Sequence, residues 1–172
     1  QDGGRYRLKK SGDEALFGYV VGPQSWKKYL FPPVTKLWEA KRVPGGFQPI
    51  EEKIDPPKLA FIGIRACELK AIAIQDKVLM DGEYRDPSYQ ARRGNIFILA
   101  VNCTKAGGTC FCTSMKTGPK VEAGFDLAMT EILDKGDHYF VIEAGSEKGI
   151  EILSQINFNS ADPHAINLAD KA

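Results

Sequence analysis

The chain has 172 residues, is 43% hydrophobic and 26% charged, and sets 23 Lys and Arg against 22 Asp and Glu. That is enough apolar material for one sizeable core without disulfides or metals to stabilise it, so a bound metal would serve function rather than folding. The balanced charge leaves no basic excess for phosphates and argues against nucleic acid. The longest apolar run, around Ile96 to Val101, is far short of the ~20 residues that a membrane-spanning helix needs, so the expectation is a cytoplasmic protein with no membrane partner.

The chain opens at Gln1 without methionine or a targeting pattern, which reads as a piece of a longer protein. Residues 1–43 form a strand- and loop-rich subregion. In it short apolar runs (Ala15 to Val21, Trp26 to Phe31) alternate with turn residues such as Gly22-Pro23 and Pro32-Pro33. Residues 44–57, with Pro44, Gly45, Gly46, Pro49, Pro56 and Pro57, read as a connection.

An α/β domain then occupies 58–158. Leu59 to Ile64 is a short continuous apolar run, the pattern of a strand buried on both faces. From Ala66 to Met80 a helix carries two apolar stripes, one with Leu69, Ile72 and Leu79 and one with Cys67, Ala71, Ile74 and Val78, which predicts packing between layers. A polar stretch rich in turn formers runs from Asp81 to Gly94, and Ile96 to Val101 is a second buried-type strand. Strand, helix, strand makes a parallel crossover, right-handed by rule.

Phe125, Leu127 and Met129 alternate with Asp126, Ala128 and Thr130, the period of a half-exposed strand. The turn signal Asp134-Lys135-Gly136-Asp137 and a strand from Tyr139 to Glu143 predict a hairpin or entry into the parallel sheet. Ser146 is placed to cap a helix through Ile156. Residues 159–172 begin a linker or helix, with Asp162-Pro163 as N-cap and N1, toward a further region. The fold class is therefore α/β: a small mixed sheet with a parallel β-α-β crossover unit, flanking helices and the N-terminal strand- and loop-rich subregion.

The chemistry is carried by Cys67, Cys103, Cys110 and Cys112. A single free cysteine is more often a small buried hydrophobe than a ligand. Here, however, Cys67 follows the C-terminal end of the first parallel strand and Cys103 that of the second. Parallel neighbours bring those ends to one edge of the sheet, where open α/β sheets form ligand crevices. Cys110 and Cys112 lie in the loop after Cys103, whose glycines and hydroxyls can turn donors toward sulfur. Cys67 also falls in a first helical turn, where unpaired amides favour a thiolate.

The spacings are a long gap, six intervening residues and one. They match neither paired zinc knuckles nor the repeats of a ferredoxin, so zinc, an iron-sulfur cluster and plain reduced thiols all stay open on spacing alone.

The stretch Phe61 to Ile72, the Asp86-Pro87-Ser88-Tyr89 with Arg92-Arg93, the Leu30-Phe31-Pro32-Pro33, and above all Asn102-Cys103 through Gly118-Pro119 resemble the N-terminal region of sulfhydrogenase beta subunits and of the corresponding subunit of anaerobic sulfite reductase. The likeness runs from about Arg5 to Leu153. Proteins of that family have a further region with two ferredoxin-type motifs and pass electrons between their flavin and catalytic subunits.

The resemblance implies one iron-sulfur cluster of the 4Fe-4S type on the four cysteines, prone to loss in air. It also implies two partners, a flavin-containing NAD(P)H- or ferredoxin-linked subunit plus a catalytic redox subunit, with no substrate chemistry in this chain. The competing reading is a cluster-free or zinc-stabilised scaffold that binds neighbouring subunits.

Other groups read more plainly. Arg65, Arg92 and Arg93 are placed either to offset cluster charge or, as is commoner, to sit solvated at the surface. His138 and His164 lie apart without a nucleophile and acid around them, and no Gly-x-Gly-x-x-Gly follows the first strand. Trp26, Tyr29, Phe31 and Trp38 read as core or subunit contacts.

Overall fold

A computed structural model describes residues 9–10, 12–22 and 25–172. Gln1, Arg5 and Pro23 lie outside the described residues. The element order is α1 (Lys27–Leu30), β1 (Trp38–Val43), β2 (Gly46–Glu51), β3 (Leu59–Ile64), α2 (Ala66–Leu79), α3 (Pro87–Gly94), β4 (Ile96–Val101), β5 (Leu127–Asp134), β6 (Asp137–Ala144), α4 (Glu147–Leu153) and α5 (Pro163–Lys171).

The main sheet has the order β3-β4-β5-β6. β3 runs parallel to β4 from Leu59↔Ile96 onward, β4 is parallel to β5, and β5 is antiparallel to β6. The pair β5-β6 is thus both a hairpin and an extension of the parallel sheet. Its turn suits the sequence, since Lys135 and Gly136 both take positive φ (49° and 95°) as a two-residue hairpin loop requires.

One face of β3 and β4 carries the core. Phe61, Ile64, Ile96, Ile98 and Ala100 pack against Leu69 and Ile72 of α2, Tyr89 of α3 and Leu30 of α1. Burying Leu69 or Ile72 contributes roughly 1.5–3 kcal/mol each by area.

The opposite face of β3 is open, with Ile62 59% exposed, so the continuous apolar run does not mark a strand buried on both sides. The same correction applies to α2. Its Leu69 and Ile72 stripe is buried, but Ile74 and Val78 on the other stripe are exposed, so the helix covers the sheet on one side and is not packed between layers.

β5 departs from its expected half-exposed pattern in the other direction: Leu127 to Ile132 are all buried. A strand between two hydrogen-bonded neighbours is central, and the small Ala128 and Thr130 fit where a solvent-facing row was expected.

The polar stretch after α2 hides α3, which sequence reading missed. The Asp86 carboxylate accepts the N–H groups of Ser88 and Tyr89 at 2.9 Å, Pro87 sits at the first helical position, and Tyr89 is fully buried with its hydroxyl donating to Asp76 at 2.7 Å. Ser146 and Asp162 cap α4 and α5 as expected, although α4 ends at Leu153.

Residues 12–22 contain no strand or helix, and Trp26 packs on Phe61 at 4.8 Å between ring centroids. The stretch read from its prolines and glycines as a connection contains β2, which pairs with β1 in a separate two-stranded sheet. Every strand residue of that hairpin except Val43 is exposed, including Trp38 and Phe47 on one of its faces.

Candidate functional site

β3 and β4 end side by side. β3 finishes on a β-bulge at Gly63, whose φ of +88° is open to glycine and strained for other residues. A Cβ at Gly63 would also stand 3.1 Å from the Phe17 ring. Three residues after Ile64 comes Cys67, on the first turn of α2, and two residues after Val101 comes Cys103.

The polar residue between β4 and Cys103 fixes this end. Asn102 is buried, and its amide donates to Thr130 Oγ1 at 2.8 Å while its Oδ1 accepts the Val121 N–H at 2.8 Å. The Cys103 N–H donates to the Pro119 carbonyl at 3.3 Å. The loop 103–119 is therefore closed at its base.

Inside the loop, tight turns follow one another. Cys110 N–H donates to Gly107 O, and Met115 and Thr117 N–H donate to Cys112 O. One amide turns toward sulfur as expected, the Gly107 N–H to Cys110 Sγ at 3.2 Å. Thr117, by contrast, closes the turn through Cys112 O at 3.3 Å and does not reach sulfur. Gly118 passes between Ala66 and Cys112, where a Cβ would stand 3.1 Å from Ala66 Cβ and 3.6 Å from Cys112 Sγ.

A strap from the N-terminal subregion covers this edge. Leu16 and Phe17 donate their N–H groups to the buried Glu131 at 2.6 and 2.8 Å, and the carbonyls of Phe17 and Tyr19 accept from the Arg65 guanidinium. The strap carries Val20 against the loop, where a Cβ at Gly107 would lie only 2.7 Å from Val20 Cγ1.

Together these pieces line an open cavity of about 440 Å³ whose wall includes all four cysteines, the exposed Cys67 and Cys110 and the partly buried Cys103 and Cys112. Its other lining is mostly apolar: Val20, Val21, Ala71, Ile74, Phe111 and Met115. The cations Arg65 and Lys70 join the wall, and no carboxylate does.

The four thiols are free, and they are not converged on one point. Among the described residues no three His, Cys, Asp or Glu side chains are grouped closely enough to hold one metal ion. A single zinc would draw its thiolates to about 2.3 Å from a common centre, and an iron-sulfur cluster would bind each thiolate through an iron of its own.

Cys67 differs from the sequence expectation. Burial pushes its thiol up from the ordinary value, the nearby Glu68 charge and Cys112 push the same way, and the backbone amides of the helix start oppose them without prevailing. The first-turn position alone therefore does not make Cys67 a thiolate.

Sequence reading also undervalued Arg65 as a surface group. Arg65 is only 2% exposed, donates from Nη1 to the Asn102 carbonyl at 3.0 Å, and lies 5.3 Å from the Tyr19 ring centroid. Asn102 and Glu131 were missed too. The signal available for Asn102 was a lone amide at the end of an apolar strand beside a cysteine. Arg93 pairs with Asp76 at 3.1 Å, His138 with Glu131 at 2.9 Å and His164 with Asp134 at 3.5 Å, and none of these reaches the cysteine cavity.

No helix among the described residues is long and apolar enough to cross a membrane. Among known proteins, the chain is 28% identical over 149 residues to the sulfhydrogenase 2 subunit beta of Pyrococcus furiosus. The match takes in 87% of this chain and 41% of that protein, so the chain spans about two fifths of its relative's length. No protein-family model matches the chain, and no solved structure does either. The likeness supports a relation to sulfhydrogenase beta subunits.

Proposed function

We propose that this chain is an iron-sulfur electron-transfer domain of a cytoplasmic multisubunit redox enzyme, with Cys67, Cys103, Cys110 and Cys112 holding one cluster of the 4Fe-4S type. The observation that carries the reading is that all four cysteines line one largely apolar cavity at the C-terminal edge of two parallel strands. When bound, the cluster supplies a one-electron redox centre.

The chain's own residues do the rest. Asn102 and Arg65 hold the two strand ends that present Cys67 and Cys103. The closed loop presents Cys110 and Cys112, and the Gly107 amide is placed to donate to a cysteine sulfur, the kind of contact that tunes a cluster's potential. Val20, Phe111 and Met115 make much of the wall beside the sulfurs apolar.

The partners in this reading are a flavin-containing NAD(P)H- or ferredoxin-linked subunit plus a catalytic redox subunit, with the domain relaying between them and performing no substrate chemistry. The exposed β1-β2 hairpin, with Trp38 and Phe47 on one face, is a contact surface of the sort such a subunit needs. The hairpin equally supports the subunit-binding half of the cluster-free or zinc-stabilised scaffold reading.

The test is optical. Protein purified or reconstituted anaerobically with iron and sulfide should be brown, with broad visible absorption that bleaches on reduction. Colourless protein carrying one zinc per chain would replace the electron-relay reading with the scaffold.

A further inference from the structure

Arg65 is a buried cation that forms no direct ion pair among the described residues. The guanidinium is charged at any pH that proteins meet, its residue is 2% exposed, and the partners it has are the neutral carbonyls of Phe17, Tyr19 and Asn102. Among the described residues no carboxylate stands within ion-pair distance of it. Its Nε is buried and lacks a hydrogen-bond partner.

Glu68, three residues on, gives its carboxylate to the Arg65 backbone N–H at 2.9 Å and not to the guanidinium. Removing a charge from water is expensive unless an opposite charge and hydrogen bonds compensate it. The fold supplies hydrogen bonds to Nη1 and Nη2 and no direct ion pair, the Glu68 charge acting only from beyond contact, in a residue that forms part of the cysteine cavity wall.

An iron-sulfur core ligated by four thiolates is a net anion before and after reduction. We infer that Arg65 is the counter-charge of this cavity: its buried guanidinium stabilises the anionic group on the four cysteines and raises its reduction midpoint by favouring the more negative, reduced state. The inference rests on the proposed cluster and names what sets its potential.

Reduction in this setting adds one electron from an external reductant, makes and breaks no bond, and increases the negative charge facing Arg65 by one. At an effective dielectric constant of about 20, a unit charge within several ångströms changes that equilibrium by more than tenfold.

The experiment is a potentiometric titration, with mediator dyes and dithionite, of the anaerobically loaded wild-type chain and of Arg65→Gln and Arg65→Lys, read by visible absorption and electron paramagnetic resonance. Gln keeps donors and removes the charge, while Lys keeps the charge and removes the fork. Arg65→Gln should shift the reduction equilibrium at least tenfold toward the oxidised form, about 59 mV more negative for one electron. Arg65→Lys should stay within about threefold of wild type.

A role confined to tying the strap and strands predicts poorer loading in both variants with an unchanged midpoint in what remains loaded, and that result overturns the inference. If Arg65→Gln does not fold, the Lys variant decides through pH, because lysine loses its charge at high pH and arginine does not: a midpoint that falls as pH rises in Arg65→Lys more than in wild type supports the counter-charge, and the same pH dependence in both overturns it. Failure of the wild-type chain to take up any cluster removes the functional reading and this inference with it, whereas a normal cluster with a charge-independent midpoint removes this inference alone.

Discussion

Arg65 Nη1 lies 3.0 Å from the carbonyl oxygen of Asn102, and this one hydrogen bond joins the two strand ends that carry the first two cysteines. Arg65 stands two residues before Cys67 and Asn102 one residue before Cys103. Because both partners are buried, the bond is shielded from competing water and holds the spacing between two candidate ligands that are 36 positions apart in sequence.

Asn102→Ala should therefore be damaging. It strips Thr130 and the Val121 N–H of their partner while leaving both in place, and unsatisfied buried groups cost about 1–3 kcal/mol each. The expected loss is roughly 2–4 kcal/mol, read from urea unfolding midpoints. A change under about 0.5 kcal/mol would show that Asn102 does not hold the loop base.

The packing of the strap on the loop makes a second prediction. Gly107→Ala puts a methyl 2.7 Å from Val20 Cγ1, and valine has few rotamers with which to yield. The substitution should cost about 1–3 kcal/mol. Val20→Ala should recover much of that in the double variant, so a thermodynamic cycle with no coupling between the two positions would contradict the described contact.

Glu68 gives a pH dependence with a defined sign. Burial, the largest influence, raises its carboxyl above the ordinary value, against the Arg65 backbone N–H, the Trp26 side chain and the Arg65 charge. A group whose folded pKa lies above its unfolded one, about 4.3 for Glu, contributes stability that is fully present below the unfolded value. That stability is lost as pH rises through the folded value. The cluster-free protein should lose this contribution on going from about pH 4 upward, and Glu68→Gln, which keeps the acceptor for the Arg65 N–H, should not. Urea unfolding of both proteins across that range measures the difference, and parallel stability curves would refute it.

The same glutamate acts on Cys67. With burial and then the Glu68 charge holding the thiol up, alkylation of Cys67 in the cluster-free protein should have its pH midpoint above that of a free cysteine, about 8.5. Glu68→Gln should move the midpoint down by removing the second cause. Peptide mass spectrometry after timed alkylation resolves Cys67 from the other three thiols, and an unmoved midpoint would show that Glu68 has no part in it.

Much of this arrangement is written locally in the chain. Leu59 to Ile64 and Ile96 to Val101 are continuous apolar runs, and a helix between them leaves only a parallel crossover, so the shared edge for Cys67 and Cys103 follows from their positions just beyond the strands. What could not be read is set by distant partners. Arg65 looks like a surface cation until the carbonyls of Phe17, Tyr19 and Asn102 are brought to it by the strap and the sheet.

The second stripe of α2 is a related case, because periodicity marks Ile74 and Val78 as apolar but does not say whether this chain supplies a surface to cover them. β5 misleads through composition, its Ala128 and Thr130 being small enough to read as a solvent face although both sit in a central strand. In α3 the Asp86-Pro87 cap is present and is outweighed by the polar residues around it.

The central claim, one cluster on these four cysteines, is tested most directly by iron and acid-labile sulfide analysis with electron paramagnetic resonance of the reduced protein. It is made on the anaerobically reconstituted wild type and on the Cys67→Ser, Cys103→Ser, Cys110→Ser and Cys112→Ser variants. The account predicts equal iron and sulfide, close to four of each per wild-type chain, one paramagnetic signal on reduction, and loss or marked alteration of that signal in every variant with the far-ultraviolet circular dichroism preserved. Wild-type protein without labile sulfide, or a variant at any of the four positions with an unchanged cluster signal, would contradict it.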